Sequence, residues 1–147
     1  MSEARTKASL ARAASHALGQ AAAAKRSAAI AAAARLIRER TDSIVVANGH
    51  DMDRSRTAGM PAPLLDRLML DAGRLDGIAS SLEEIARQED PLGRVSWGRT
   101  LDSGVRVERL SVPMGVVAMI YEARPNVTAD AFGLCIRSGN ACVLKGG

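Results

Sequence analysis

Two stretches decide the fold: Pro113-Met-Gly-Val-Val-Ala-Met-Ile-Tyr-Glu-Ala-Arg-Pro-Asn126 and Ser138-Gly-Asn-Ala-Cys-Val-Leu-Lys-Gly-Gly147. Each holds a short apolar run, Gly115 to Tyr121 and Ala141 to Leu144, and the interval between them is long enough for one helix. Val116 to Ile120 is apolar at every position, as a strand covered on both faces would be. A helix is expected from about Thr128 to Arg137, with Gly139 at its C′ position, and a second strand over Ala141 to Lys145. The layout is strand, crossover helix, parallel strand, the unit from which nucleotide-binding sheets are built.

Upstream, Val95 and Trp97 alternate with polar residues, as do Val105 and Val107 after the turn Asp102-Ser103-Gly104. That period predicts a half-buried β-hairpin. Everything before it reads as helix. Leu75, Ile78, Ala79, Leu82, Ile85 and Ala86 form an i, i+3, i+4, i+7 stripe ended by Asp90-Pro91. Ala21 to about Val46 reads as one long helix stopped at Asn48-Gly49. Residues 51–58 form a short helix, Pro63 opens another, and residues 1 to about 20 form a first helix with Leu10, Ala14 and Leu18 on one face. The expected class is α/β: a helical N-terminal region over 1–92, a β-hairpin of oligomerisation or sheet-edge type over 93–112, and over 113–147 the first, incomplete strand–helix–strand unit of a nucleotide-binding domain.

Composition narrows the function. The 147 residues suffice for a core, but aromatics are 2%, only Trp97, Tyr121 and Phe132, so stacking on single-stranded nucleic acid is disfavoured. The net charge of +4 is dispersed and reads as solvated helix surface, without nucleic acid as a partner. No apolar run is long enough for a membrane span and the start lacks the apolar middle of a secretion signal. Cys135 and Cys142 have no metal-ligand spacing and suit unpaired thiols in a reducing cytoplasm.

In open parallel sheets, ligands bind beyond the carboxyl ends of the strands. Here that selects Tyr121 to Asn126 and Lys145-Gly-Gly147. The Asn126 amide can donate to a developing oxyanion, or it can cap the helix. Arg124 can pair with a phosphate or carboxylate, or stand at the surface; Glu122 can act as acid or base, or form an ion pair. Lys145 can reach a ribose hydroxyl or phosphate, with Gly146 letting the backbone approach a ligand, or it can snorkel to water. The residue order excludes a Gly-Lys-Ser/Thr phosphate loop. Neither cysteine has a histidine near it in sequence, and packing is the better account of both.

The string Tyr121-Glu-Ala-Arg-Pro-Asn-Val-Thr128 within Val112 to Asp130, together with Leu134 to Gly147, closely resembles the signature of the γ-glutamyl phosphate reductase (glutamate-5-semialdehyde dehydrogenase) family of the aldehyde dehydrogenase superfamily. Leu64-Leu-Asp-Arg-Leu68, Arg74-Leu-Asp-Gly-Ile-Ala79 and Asp90-Pro-Leu-Gly93 extend the likeness, which is weakest before about residue 20. The resemblance implies NADPH-dependent reduction of L-glutamyl 5-phosphate to glutamate 5-semialdehyde and phosphate in proline biosynthesis. It implies a Rossmann-like parallel sheet of the aldehyde dehydrogenase fold for the cofactor, a cysteine thiolate that attacks the acyl phosphate, and a thioester that accepts hydride. It gives Asn126 the oxyanion position, Lys145 and Gly146 the cofactor side, and Arg124 a place where related dehydrogenases carry an aromatic residue, suited to an anionic substrate. It further implies a cytoplasmic enzyme, a homo-oligomer when full length, and association with glutamate 5-kinase.

The family's nucleophilic cysteine and the rest of its cofactor domain lie in later regions, and neither Cys135 nor Cys142 falls on the nucleophile motif. The chain therefore reads as a truncated N-terminal fragment, inactive alone, with no metal. Two alternatives stand beside this: the reductase portion of a bifunctional pyrroline-5-carboxylate synthase, and a non-catalytic helical binding or interaction module.

Overall fold

The computed structural model describes residues 2–122 and 124–146. Five helices come first: α1 (Glu3–Gly19), α2 (Ala23–Glu39), α3 (Thr41–Thr57), α4 (Ala62–Leu68) and α5 (Ala72–Arg87). A hairpin follows, β1 (Val95–Thr100) and β2 (Arg106–Leu110), then β3 (Val116–Ile120), α6 (Pro125–Arg137) and β4 (Ala141–Lys145).

β3 and β4 pair in parallel, from Val116 opposite Ala141 to Ile120 opposite Lys145. The Tyr121 N–H extends the ladder by donating to the Lys145 carbonyl at 3.0 Å. Side chains alternate across a strand. Cys142 and Leu144 share an apolar groove with Ala129 and Phe132 of α6, whereas Val143 and Lys145 share one with Ala4 and Lys7 of α1. The two strands thus lie between α6 and α1. The cover is thin, and Ile120 is 85% exposed.

The core sits between helices. Ile30 and Ala34 of α2 meet Ala79, Leu82 and Ile85 of α5, with Phe132 and Ile136 of α6 against them. Alanines at the contact let α2 and α5 approach closely, which is how a chain with three aromatics fills its interior. Ile30 and Leu82 are fully buried, each worth about 1.5–3 kcal/mol of apolar transfer. At Gly133 a Cβ would lie 2.8 Å from Leu82 Cδ2 and 3.1 Å from Ile85 Cδ1, so a larger residue there would force these core side chains to shift.

Several expectations are corrected. The helix read over Ala21 to Val46 breaks at Arg40, where the Thr41 hydroxyl donates back to the carbonyls of Ile37 and Arg38 at 3.2 and 3.0 Å. The stop read at Asn48-Gly49 is overridden: α3 runs through both residues. Asn48 is buried, its amide donating to the Leu68 carbonyl at 2.9 Å and its oxygen accepting from the Leu70 N–H at 2.7 Å. Its side chain satisfies the link between α4 and α5, and that tertiary role outweighs its local preference. On α1, Leu10 is 66% exposed and Ala14 is exposed as well, whereas Leu18 is half-buried as expected, together with Ala11 and Ser15. The hairpin is exposed along both strands, not half buried. Its alternating apolar residues, Trp97 and Val107 among them, face outward.

Candidate active site at the strand ends

β3 and β4 end side by side, so Tyr121 and Lys145 are neighbours across the ladder. The Tyr121 hydroxyl lies 2.5 Å from Thr128 Oγ1, fixing the ring against the first turn of α6. Gly146 runs past that ring, where an added Cβ would lie 3.7 Å from it. A cleft of about 160 Å³ opens here, lined by Tyr121, Glu122, Arg124, Thr128 and Gly146. The fold therefore brings Arg124 and Gly146 together.

Asn126 is not the helix cap. α6 begins at Pro125, whose missing N–H costs nothing at the first helical position, and Arg124 occupies the N-cap without a side-chain capping bond. That start is earlier than the expected Thr128. The Asn126 amide stands exposed in the first turn and opens into a second cleft of about 370 Å³. Pro125 forms part of the wall of both clefts. Across from Asn126 lie Arg67 and Arg74 from the α4–α5 region, and Asp130 stands one turn further along α6.

Lys145 lies apart from Asn126. It faces the α1 side, in a groove of about 470 Å³ walled by Ala118, Ile120 and Val143, and its ammonium donates to the Gly146 carbonyl. A cation beside an apolar wall at the end of a parallel strand fits the ribose or phosphate of a nucleotide and part of its base. Gly147 lies outside the described residues.

The thiols are poorly suited to attack. Burial pushes the Cys135 thiol up, and the neighbouring Cys142 pushes it further. Burial also raises Cys142, against a smaller lowering by Cys135. A nucleophilic cysteine needs the opposite shift. Among the described residues there is no group of three His, Cys, Asp or Glu side chains placed to hold a metal ion. No helix among them is long and apolar enough to cross a membrane.

Arg67, Arg74 and Asp130 escaped the sequence reading. Asn126 and Asp130 are four residues apart and so share a helix face, a signal that was present. The arginines come from a separate helix pair, and no local spacing announces their convergence.

A helix-flanked parallel unit with polar clefts at its strand ends defines an α/β protein with a candidate small-molecule site. Comparison with known proteins identifies which. No family model matches the chain. It is 50% identical to the γ-glutamyl phosphate reductase of Caulobacter vibrioides over 123 residues, covering 84% of this chain and 30% of that protein. It is 52% identical to that of Cutibacterium acnes over 110 residues, covering 75% of this chain and 26% of the relative. The crystal structure of γ-glutamyl phosphate reductase from Thermotoga maritima matches 99% of this chain and 35% of its own, with 35% identity and a TM-score of 0.95. That from Saccharomyces cerevisiae matches 100% of this chain and 38% of its own, with 32% identity and a TM-score of 0.94. Over the part it shares with them the chain is homologous to these γ-glutamyl phosphate reductases, and it spans about 30% of the length of the first curated relatives it matches.

Proposed function

We propose that this chain supplies one part of an NADPH-dependent reductase that converts L-glutamyl 5-phosphate to L-glutamate 5-semialdehyde and phosphate in proline biosynthesis. The observation that supports it best is the match to the Thermotoga maritima reductase over 99% of the chain at a TM-score of 0.95. The strand-end residues suit that role. Asn126, exposed in the first turn of α6 and free of capping duty, donates from its amide to the carbonyl oxygen as the acyl group becomes tetrahedral. Arg124, beside Gly146, attracts an anionic substrate group to the neighbouring cleft. Lys145 and Gly146 hold the ribose or phosphate side of the nucleotide, which when bound supplies the hydride. Residues 1–92, 93–112 and 113–147 serve as helical region, oligomerisation hairpin and the first cofactor-binding unit. The complete enzyme is a cytoplasmic homo-oligomer that associates with glutamate 5-kinase.

The attacking thiolate comes from outside these 147 residues: Cys135 is buried within α6, Cys142 lies within β4, neither lines the clefts of Asn126 and Arg124, and burial raises both thiols. Residues 1–147 alone are therefore inactive. Joining them to the remaining portion of the Caulobacter vibrioides relative restores a complete enzyme. The chimera reduces NADP+ in the presence of glutamate 5-semialdehyde only when phosphate is supplied. A folded chimera with no phosphate-dependent turnover overturns the proposal.

A further inference from the structure

The 370 Å³ cleft below Asn126 carries more charge than an oxyanion site requires. Arg74 is committed: it pairs with the Asp66 carboxylate at 2.8 Å and donates to the Asp66 carbonyl and, at 3.0 Å, to the Met69 carbonyl. It thereby braces the turn between α4 and α5. Arg67 and Asp130 line the same cleft, and among the described residues neither makes an ion pair. They do not pair with one another. The cleft thus holds a cation and a half-buried carboxylate, each open to an external partner. The remaining wall, Met69, Leu70 and Ile78 among it, is apolar.

An unpaired cation and an unpaired anion across one small cleft complement a zwitterion. Asn126 and Asp130 stand one turn apart on the same face of α6, about 5–6 Å between Cβ atoms. An extended glutamyl chain separates its C5 oxygen from its α-nitrogen by a similar span.

We infer that this cleft recognises the amino-acid head of the substrate: Asp130 accepts from the α-ammonium and Arg67 donates to the α-carboxylate, while Asn126 holds the C5 oxygen. The inference rests on the reductase reading for the identity of the reacting end, but the recognition of an α-amino acid stands on Arg67 and Asp130 alone. Asp130 and Arg67 set specificity and do not take part in bond making. The apolar wall between them packs against the methylene groups. Leaving either charge unmatched is costly, so a substrate lacking the amino group binds more weakly.

The test uses the chimera described above and compares glutamate 5-semialdehyde with 5-oxopentanoate, which keeps the carboxylate and lacks the amino group. The unsubstituted chimera favours the amino substrate. Asp130→Asn lowers the ratio of kcat/KM for the two by about tenfold, through KM. Arg67→Ala raises KM for both substrates, and Arg67→Lys recovers part of the loss. Equilibrium titration of the same proteins with L-glutamate and with glutarate provides a readout independent of turnover. The unsubstituted chimera prefers L-glutamate, and Asp130→Asn removes the preference. If the preference survives Asp130→Asn in folded protein, or is absent at the outset, the inference is overturned. A titration preference that Asp130→Asn abolishes in a chimera without reductase activity supports the inference and counts against the reductase reading.

Discussion

Arg26 and Asp90, 64 residues apart in the chain, form a two-pronged ion pair in which one guanidinium nitrogen lies 2.7 and 2.6 Å from the two carboxylate oxygens. Arg26 is 3% exposed and also donates to the Ala21 carbonyl. Arg137 joins the same knot, donating to Ser27 Oγ at 2.6 Å and to the Gln88 carbonyl. Two buried arginines therefore tie the start of α2, the end of α5 and the end of α6, and so fix the helical core to the strand–helix–strand unit. Asp90→Asn strands the buried Arg26 charge and lowers stability by about 2–3 kcal/mol in denaturant unfolding. An unchanged unfolding midpoint contradicts this role.

The same pair sets a pH dependence. Burial pushes the Asp90 carboxyl up, but the Leu92 N–H and the Arg26 guanidinium outweigh it and hold the carboxyl below the ordinary aspartate value. A depressed folded-state pKa stabilises the fold fully above the unfolded value, and that stability is lost as pH falls through the folded one. The parent chain therefore loses stability below about pH 4 more steeply than Asp90→Asn does. Thermal melts of both proteins between neutral and acid pH read the difference directly.

Gly139 follows α6 with φ +71°, and a Cβ there would lie 2.8 Å from Leu92 Cδ1 and 3.0 Å from Pro113 Cγ. Gly139→Ala meets both the left-handed backbone penalty and the contact, a loss of about 2–4 kcal/mol. A melting temperature within a degree or so of the parent contradicts the packing described at the start of β4.

Leu82 is 1% exposed at the centre of the α2–α5–α6 contact. Leu82→Ala leaves a cavity there and costs about 3 kcal/mol, whereas Trp97→Ala on the exposed hairpin costs this chain well under 1 kcal/mol. Comparable losses at the two positions would mean that the hairpin is covered in solution.

Elements whose periodicity is local were legible in the sequence. The α5 stripe, the turn at Gly139 and the parallel pairing of the strands at Val116 and Ala141 stand as read, whereas the expected cover on both faces of the Val116 strand does not. What sequence could not show depends on partners far along the chain. The dispersed positive charge read as solvated helix surface includes Arg26, whose acid, Asp90, lies 64 residues along the chain. Asn48 read as a helix stop because its partners are Leu68 and Leu70. The hairpin's alternation was real, but alternation states only that two faces differ, not that one is covered. The site was half legible. Arg124, Asn126 and Lys145 follow from strand ends and motif, whereas Arg67 reaches the cleft only through the packing of α4 and α5.

The central claim is that the first turn of α6 presents an oxyanion donor to a substrate cleft. Its most direct test is the turnover of the Asn126→Ala chimera beside its parent, with folding confirmed by matching melts. The account predicts a fall in kcat of about 10²–10³-fold with KM little changed, the signature of an interaction made in the transition state. A kcat within about twofold of the parent, in folded protein, contradicts it.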